Sequence, residues 1–222
     1  MTDAAPSAAN RPDYVSLREP YAAPTQQRDA DFMGMYIFLG TEAMLFGALF
    51  CLVFAYRSLH PEAVAVAARH MQLWIGAANT AIILTSSLFV ALGVHSARQG
   101  ARRATGGFFL LALALGAAFL VLKGIEYGLD YRDGLMPVIG QPSPVRNGPA
   151  GLFIDLYFVA TGLHALHLTI GLIVLAVTAT LVLTRAKRLP EQAVVVEMAG
   201  LYWHFVDVVW VFAFPIFYLA RG

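Results

Sequence analysis

The chain has 222 residues, of which 59% are hydrophobic and 13% charged, with a formal net charge of +1. A soluble globular domain carries about 25% charged residues, so this composition excludes an ordinary soluble enzyme and points to a protein of the bilayer. A net charge so close to zero presents no polyanion-binding surface, and no nucleic-acid partner is expected.

Residues 1–32 are rich in Ala, Pro and charge and read as a flexible or loosely docked tail. No short apolar core with a small-residue cleavage site precedes the first long run, so a signal peptide is not expected. Residues 33–222 then form one transmembrane domain with five apolar runs: Met33–Tyr56, Leu73–Val94, Gly106–Tyr127, Leu152–Leu183 and Ala199–Leu219. Each is long enough to cross a hydrocarbon core about 30 Å thick, which takes about 20 helical residues. A lipid-facing backbone must satisfy its own hydrogen bonds, and the period-2 alternation of barrel strands is absent. The expected fold is therefore all-α, an integral membrane bundle of five transmembrane helices. The longest internal connection, Gly128 to Gly151, contains "DGLMPVIGQPSPVRNGPAG", a Pro/Gly-rich strap with no helical period. So little chain lies outside the runs that no soluble catalytic domain fits, and no internal repeat is visible.

Lys and Arg residues set the expected orientation. Arg11, Arg18, Arg28, Arg98, Arg102, Arg103, Arg185, Lys187 and Arg188 fall on one side of a five-helix path, nine in all. The other side has six: Arg57, Arg69, Lys123, Arg132, Arg146 and Arg221. This places the N-terminus in the cytoplasm and the C-terminus outside.

Cys51 is the only cysteine, which closes the routes through a disulfide, a C-x-x-C-H haem attachment or paired thiolates. His60, His70 and His95 lie at or beyond helix ends, leaving His164, His167 and His204 at membrane depth. A haem held by His164 or His167 together with His204 is one reading of these; neutral histidines hydrogen-bonded between helices is the better one. No metal site is expected in this chain.

The intramembrane polar groups fall into stripes. His204 and Asp207 share a helix face at i, i+3, and Glu197 joins it one heptad earlier. His164 and His167 repeat the i, i+3 spacing, with Gly162 and Gly171 offering close approach to another helix. Asn79, Ile83 and Ser86 share a side of the second run. Glu42 stands about ten residues into the first run, between Gly40 and Gly47. Desolvation there favours its neutral acid form, so Glu42 is expected to hold its proton with a neutral partner such as Tyr, Ser or His, in either a structural or a proton-related role. The His204–Asp207 pair reads as a polar clasp to a neighbouring helix or subunit. Trp203 and Trp210 read as packing or interfacial anchors. Glu126 is expected to meet headgroups, water or a basic partner, with Lys123 snorkelling beside it, and Asp155 to lie near the outer edge.

"GTEAMLFGALF" at Gly40–Phe50, "NTAIILTSS" at Asn79–Ser87, "EY" at Glu126–Tyr127, "FVATGLHALHLTIG" at Phe158–Gly171 and "YWHFVDVVW" at Tyr202–Trp210 occur in an order and spacing that resembles subunit III of haem–copper terminal oxidases. The resemblance spans residues 33–219. It implies a non-catalytic, all-helical subunit of a bacterial cytochrome c oxidase, docked on subunit I in the plasma membrane beside subunit II and other subunits. It implies haem and copper in those partners and none in this chain, bound phospholipid, and a part in proton uptake and oxygen access. It also points to reaction of Glu42 with a hydrophobic carbodiimide. The seven-helix members of the family have two helices that this chain lacks, and Lys123 stands in "LKGIEY" where cytochrome c oxidase members usually carry Gln. Five-helix quinol oxidase subunits and accessory proteins of nitric oxide reductase are the alternatives. A transporter would call for an inverted repeat or broken helices, and neither is visible.

Overall fold

A computed structural model describes residues 21, 23–136, 148–186, 189 and 192–220. Among these the fold is six helices: α1 Pro24–Leu59, α2 Pro61–His70, α3 Leu73–Arg98, α4 Arg102–Arg132, α5 Pro149–Leu183 and α6 Ala193–Tyr218. Five of them, all but α2, are long and apolar enough to cross a membrane.

The helices overrun the expected boundaries, because hydropathy marks the lipid-facing length and hydrogen bonding marks the helix. α1 begins at Pro24, within the stretch read as a tail, and its 36 residues span about 54 Å. α4 continues to Arg132 and α5 starts at Pro149, each taking residues from the expected strap. The centre of that strap, 137–147, lies outside the described residues, as do residues 1–20, Lys187, Arg188 and Arg221. Proline stands at the start of α1, α2 and α5, where its missing N–H has no helical partner to lose.

The short helix α2 lies in what reads as a mere connection. Its ten residues have Glu62 in the first turn and Arg69 and His70 in the last, which suits the helix dipole. Val64, Ala67 and Ala68 are buried on one face, and α2 packs on α5. A patch this small, built largely of alanine, has too little hydropathy to stand out from the sequence.

α3 and α4 form a tight antiparallel hairpin around Gly100, whose φ of 75° needs a residue without Cβ. α6 lies against α3 and α5, α4 against α5, and α1 on the flank against α5 and α6. In the most apolar window, 50% of α6 is buried but only 11% of α1. α6 is thus the central helix and α1 the one least covered by the rest of the chain. Trp203 sits where three helices meet, fully buried. A methyl at Gly116 would come within 2.7 Å of Trp203 and Leu172, and one at Gly171 within 3.1 Å of Trp203. Gly162 differs from expectation: its nearest neighbour would be 4.0 Å away, so it marks no close crossing.

Candidate functional site

The buried polar groups occupy three levels of the bundle. At the end formed by the C-termini of α4 and α6 and the start of α5, Lys123 and Glu126 are 3% and 0% exposed. The Lys123 ammonium donates to Glu126 Oε2 at 3.0 Å, Tyr157 Oη at 2.8 Å and Tyr218 Oη at 2.7 Å. Both tyrosine hydroxyls donate to Glu126 Oε1, at 3.0 Å from Tyr157 and 2.6 Å from Tyr218. Three ammonium hydrogens and two phenolic hydrogens all find acceptors inside the protein. Aromatic faces complete the enclosure, with the ammonium 5.2 Å from the Trp210 ring centroid and 5.3 Å from that of Tyr127. Of the three surroundings expected for Glu126, headgroups, water or a basic partner, it has the basic partner, whereas the expectation that Lys123 snorkels is corrected, since it is buried. Each is the other's partner, and Tyr157 and Tyr218 complete the hydrogen bonds of both.

At the opposite end, Glu197 at the start of α6 is 5% exposed and accepts from Arg28 of α1 at 3.2 Å and Arg98 of α3 at 2.7 Å. One carboxylate thus ties together three helices. It shares a helix with His204 and Asp207, yet it does not join them in one polar group. His204 Nδ1 lies 2.8 Å from Ser87 Oγ on α3 and 3.5 Å from Asp207 Oδ2. Asp207 is 4% exposed and its Oδ2 makes no hydrogen bond among the described residues. The His204 contact is to another helix of the same chain.

Midway along, Glu42 on α1 meets His167 on α5, with Oε2 to Nε2 at 2.9 Å. His167 Nδ1 lies 2.9 Å from the Leu163 carbonyl. A carbonyl can only accept, so Nδ1 carries a hydrogen, and the Glu42–His167 bridge is left sharing a single proton. Phe46 packs edge-on against the imidazole at 5.2 Å, and the Tyr202 hydroxyl donates to the His167 carbonyl at 3.1 Å. The two side chains are 19% and 11% exposed, on a flank where Met44 and Leu45 are 77% and 47% exposed. This is an acid–base pair that shares one proton on a flank of exposed apolar side chains.

Two further sequence-selected groups, His164 and Asn79, make no side-chain hydrogen bond to any of these sets. His164 is 1% exposed between the rings of Phe119 and Trp210, at 5.7 and 5.1 Å, and neither ring nitrogen has a hydrogen-bond partner among the described residues. Asn79 is fully buried and likewise without a partner, while the adjacent Thr80 accepts from Trp210 Nε1 at 3.1 Å. His164, His167 and His204 do not face one another in axial pairs, since their neighbours are two rings, Glu42 and Ser87. Among the described residues no group of three His, Cys, Asp or Glu side chains is placed to hold a metal ion.

Sequence reasoning missed Tyr157, Tyr218, Arg28 and Arg98. Lys123 and Glu126 at i, i+3 were a legible signal for an internal pair. The tyrosines were not, because nothing local reveals which helix faces which.

Residues 27–221 match the family of cytochrome c oxidase subunit III. The chain is 30% identical over 217 residues to cytochrome c oxidase subunit 3 of Corynebacterium diphtheriae, covering 97% of this chain and 92% of the relative. It is 29% identical over 199 residues to that of Thermostichus vulcanus, covering 86% and 88%. It is 30% identical over 195 residues to that of a Synechocystis strain, covering 86% and 76%.

Proposed function

The chain belongs to the cytochrome c oxidase subunit III family, and we propose that it is the non-catalytic subunit III of a bacterial haem–copper oxidase of the aerobic respiratory chain. The observation that carries this reading is the family match across residues 27–221. In it the chain docks on subunit I in the plasma membrane, with subunit II and others in the same complex and phospholipid along its flank. The N-terminus is cytoplasmic and the C-terminus periplasmic, as the excess of Lys and Arg favours. Haem and copper reside in the partner subunits.

The geometry suits a supporting part. Lys123, Glu126 and Glu197 spend their hydrogen bonds and charges inside the bundle, which makes a rigid wall rather than a reaction centre. The Glu42–His167 pair is the exception, because it shares one proton on the exposed flank. Its role in this reading is to keep proton delivery to subunit I in order over many turnovers. Electron transfer proceeds without it.

A tagged chain extracted from its native membrane in mild detergent tests this directly. Subunits bearing haem and copper should co-purify, with the visible spectrum of an oxidase and oxygen consumption on reduced cytochrome c. Turnover on quinol alone, or nitric oxide reduction, would transfer the chain to one of the alternative complexes. A Soret band retained by the chain after separation from all partners would overturn the non-catalytic assignment.

A further inference from the structure

The hydrogen-bond donors around Glu126 are all committed. Lys123 directs its three ammonium hydrogens to Glu126, Tyr157 and Tyr218, and both phenolic hydrogens go to Glu126 Oε1. Asp130 stands one turn farther along α4, on the same face as Glu126 and one heptad from Lys123. It is 2% exposed and forms no ion pair among the described residues, and its buried Oδ2 has no hydrogen-bond partner there. The oxidase reading gives this carboxyl no part.

Every group facing Asp130 disfavours a carboxylate at this position. Glu126 and Asp133 are like charges on its own helix, one turn to either side. Lys123 is the cation that acts on it, and that charge is already matched by Glu126 at 3.0 Å. The phenols of Tyr127 on α4, Tyr157 on α5 and Tyr218 on α6 lie within electrostatic reach. Their hydrogens go elsewhere, that of Tyr127 to Thr161 at 2.6 Å, because the Thr161 hydroxyl donates to the Tyr157 carbonyl. The first residues of α3, which packs on α4, carry no titratable side chain from Leu73 to Ala78. Asp130 is also third from the end of α4, where the helix dipole is negative and favours cations. An ionised side chain would thus be buried without a donor, without a cation of its own and beside two like charges. The carboxylic acid carries no charge and brings its own donor.

We infer that Asp130 is a proton-binding site, in which two carboxyls one turn apart hold a single proton and Lys123 balances the one that stays ionised. The proton rests on Asp130, because both oxygens of Glu126 are occupied as acceptors while Asp130 Oδ2 accepts nothing among the described residues. Lys123, Glu126 and Asp130 then sum to zero charge in the interior. The inference goes beyond the oxidase reading and does not rest on it: it gives the chain a second proton-holding site, separate from the Glu42–His167 pair.

Infrared spectra of the full chain in detergent at neutral pH, in a Glu42→Gln background, test this. Asp130→Asn should remove a protonated-carboxyl band equal to one group per chain, and Asp207→Asn should leave that band in place. Isotope-labelled aspartate should shift the band in the Glu42→Gln parent and in its Asp207→Asn variant, a reading that holds even where Asp130→Asn fails to fold. Glu126→Gln should also remove the band, because Lys123 then takes Asp130 as its counterion. Lys123→Met/Glu126→Gln should restore it, since no cation is left to be matched. A carboxyl with a packing role alone would respond to neither of these changes. Bands unaltered by Asp130→Asn, or no aspartate-shifted band in the parent, would overturn the proton site. A band that survives Glu126→Gln, or is absent from the double variant, would overturn its balance with Lys123.

Discussion

Lys123→Met should be among the most damaging single substitutions in the chain. The side chain keeps its length, but Glu126 loses the cation 3.0 Å from its Oε2 while remaining 0% exposed. At an effective dielectric of 20 the lost attraction is about 5.5 kcal/mol. Set against it is the desolvation of both ions, so the whole pair contributes far less than this. Deleting one partner alone does not recover that desolvation, because the other charge stays buried, and the cost is about 3–5 kcal/mol. The hydroxyls of Tyr157 and Tyr218 still donate to Glu126 Oε1, which keeps the loss toward the lower figure. Lys123→Met/Glu126→Gln removes both charges and should return to within about 1.5 kcal/mol of the wild type, as isosteric replacement of buried pairs does elsewhere. The assay is a double-mutant cycle on reversible unfolding of the detergent-solubilised chain. A coupling energy below about 0.5 kcal/mol, or a Lys123→Met variant as stable as the wild type, would refute the closed hydrogen-bond set described above.

Four further outcomes are expected. Glu42→Gln should preserve assembly, since an amide still spans the 2.9 Å to His167, whereas Glu42→Lys should strip the chain from its complex by burying a cation that costs several kcal/mol; native gel analysis after a mild detergent wash separates the two. Glu197→Ala should raise hydrogen exchange over residues 25–32 by unlatching Arg28, while Arg98→Gln, at a residue 60% exposed, should cost less than about 1 kcal/mol; equal protection in wild type and Glu197→Ala would rule the latch out. Gly116→Val should destabilise the isolated chain by about 1–3 kcal/mol through the collision with Trp203 and Leu172. Gly40→Ala, with nothing within 4 Å, should stabilise it by up to about 1 kcal/mol, and the reverse ranking in thermal unfolding would contradict this packing.

Much of the architecture was legible without coordinates, because the bilayer reduces the choices open to a chain. Runs of about 20 apolar residues have to be helices that satisfy their own backbone. The five spans and the all-α class follow from that alone, and the ordered motifs carried the family resemblance. Boundaries were less legible: Gln26 to Asp31 are helical despite their polarity, since they lie where Arg28 can reach Glu197. α2 was invisible because its buried face rests on two alanines and a valine.

What the sequence alone determined is which polar groups lie at membrane depth; what only the tertiary structure decided is how they are paired. Periodicity correctly places His204, Asp207 and Glu197 along one helix, yet it cannot say that Glu197 turns to arginines of α1 and α3 while His204 turns to Ser87. Glu42 and His167 are 125 residues apart and meet only because α1 lies against α5. Lys123 has the hydropathy of a residue bound for the interface, but two tyrosines from α5 and α6 hold it inside. In each case the physical reason is the same. A buried charge settles where its donors and acceptors are all met, and those partners come from helices whose adjacency is fixed by the packing of the whole bundle.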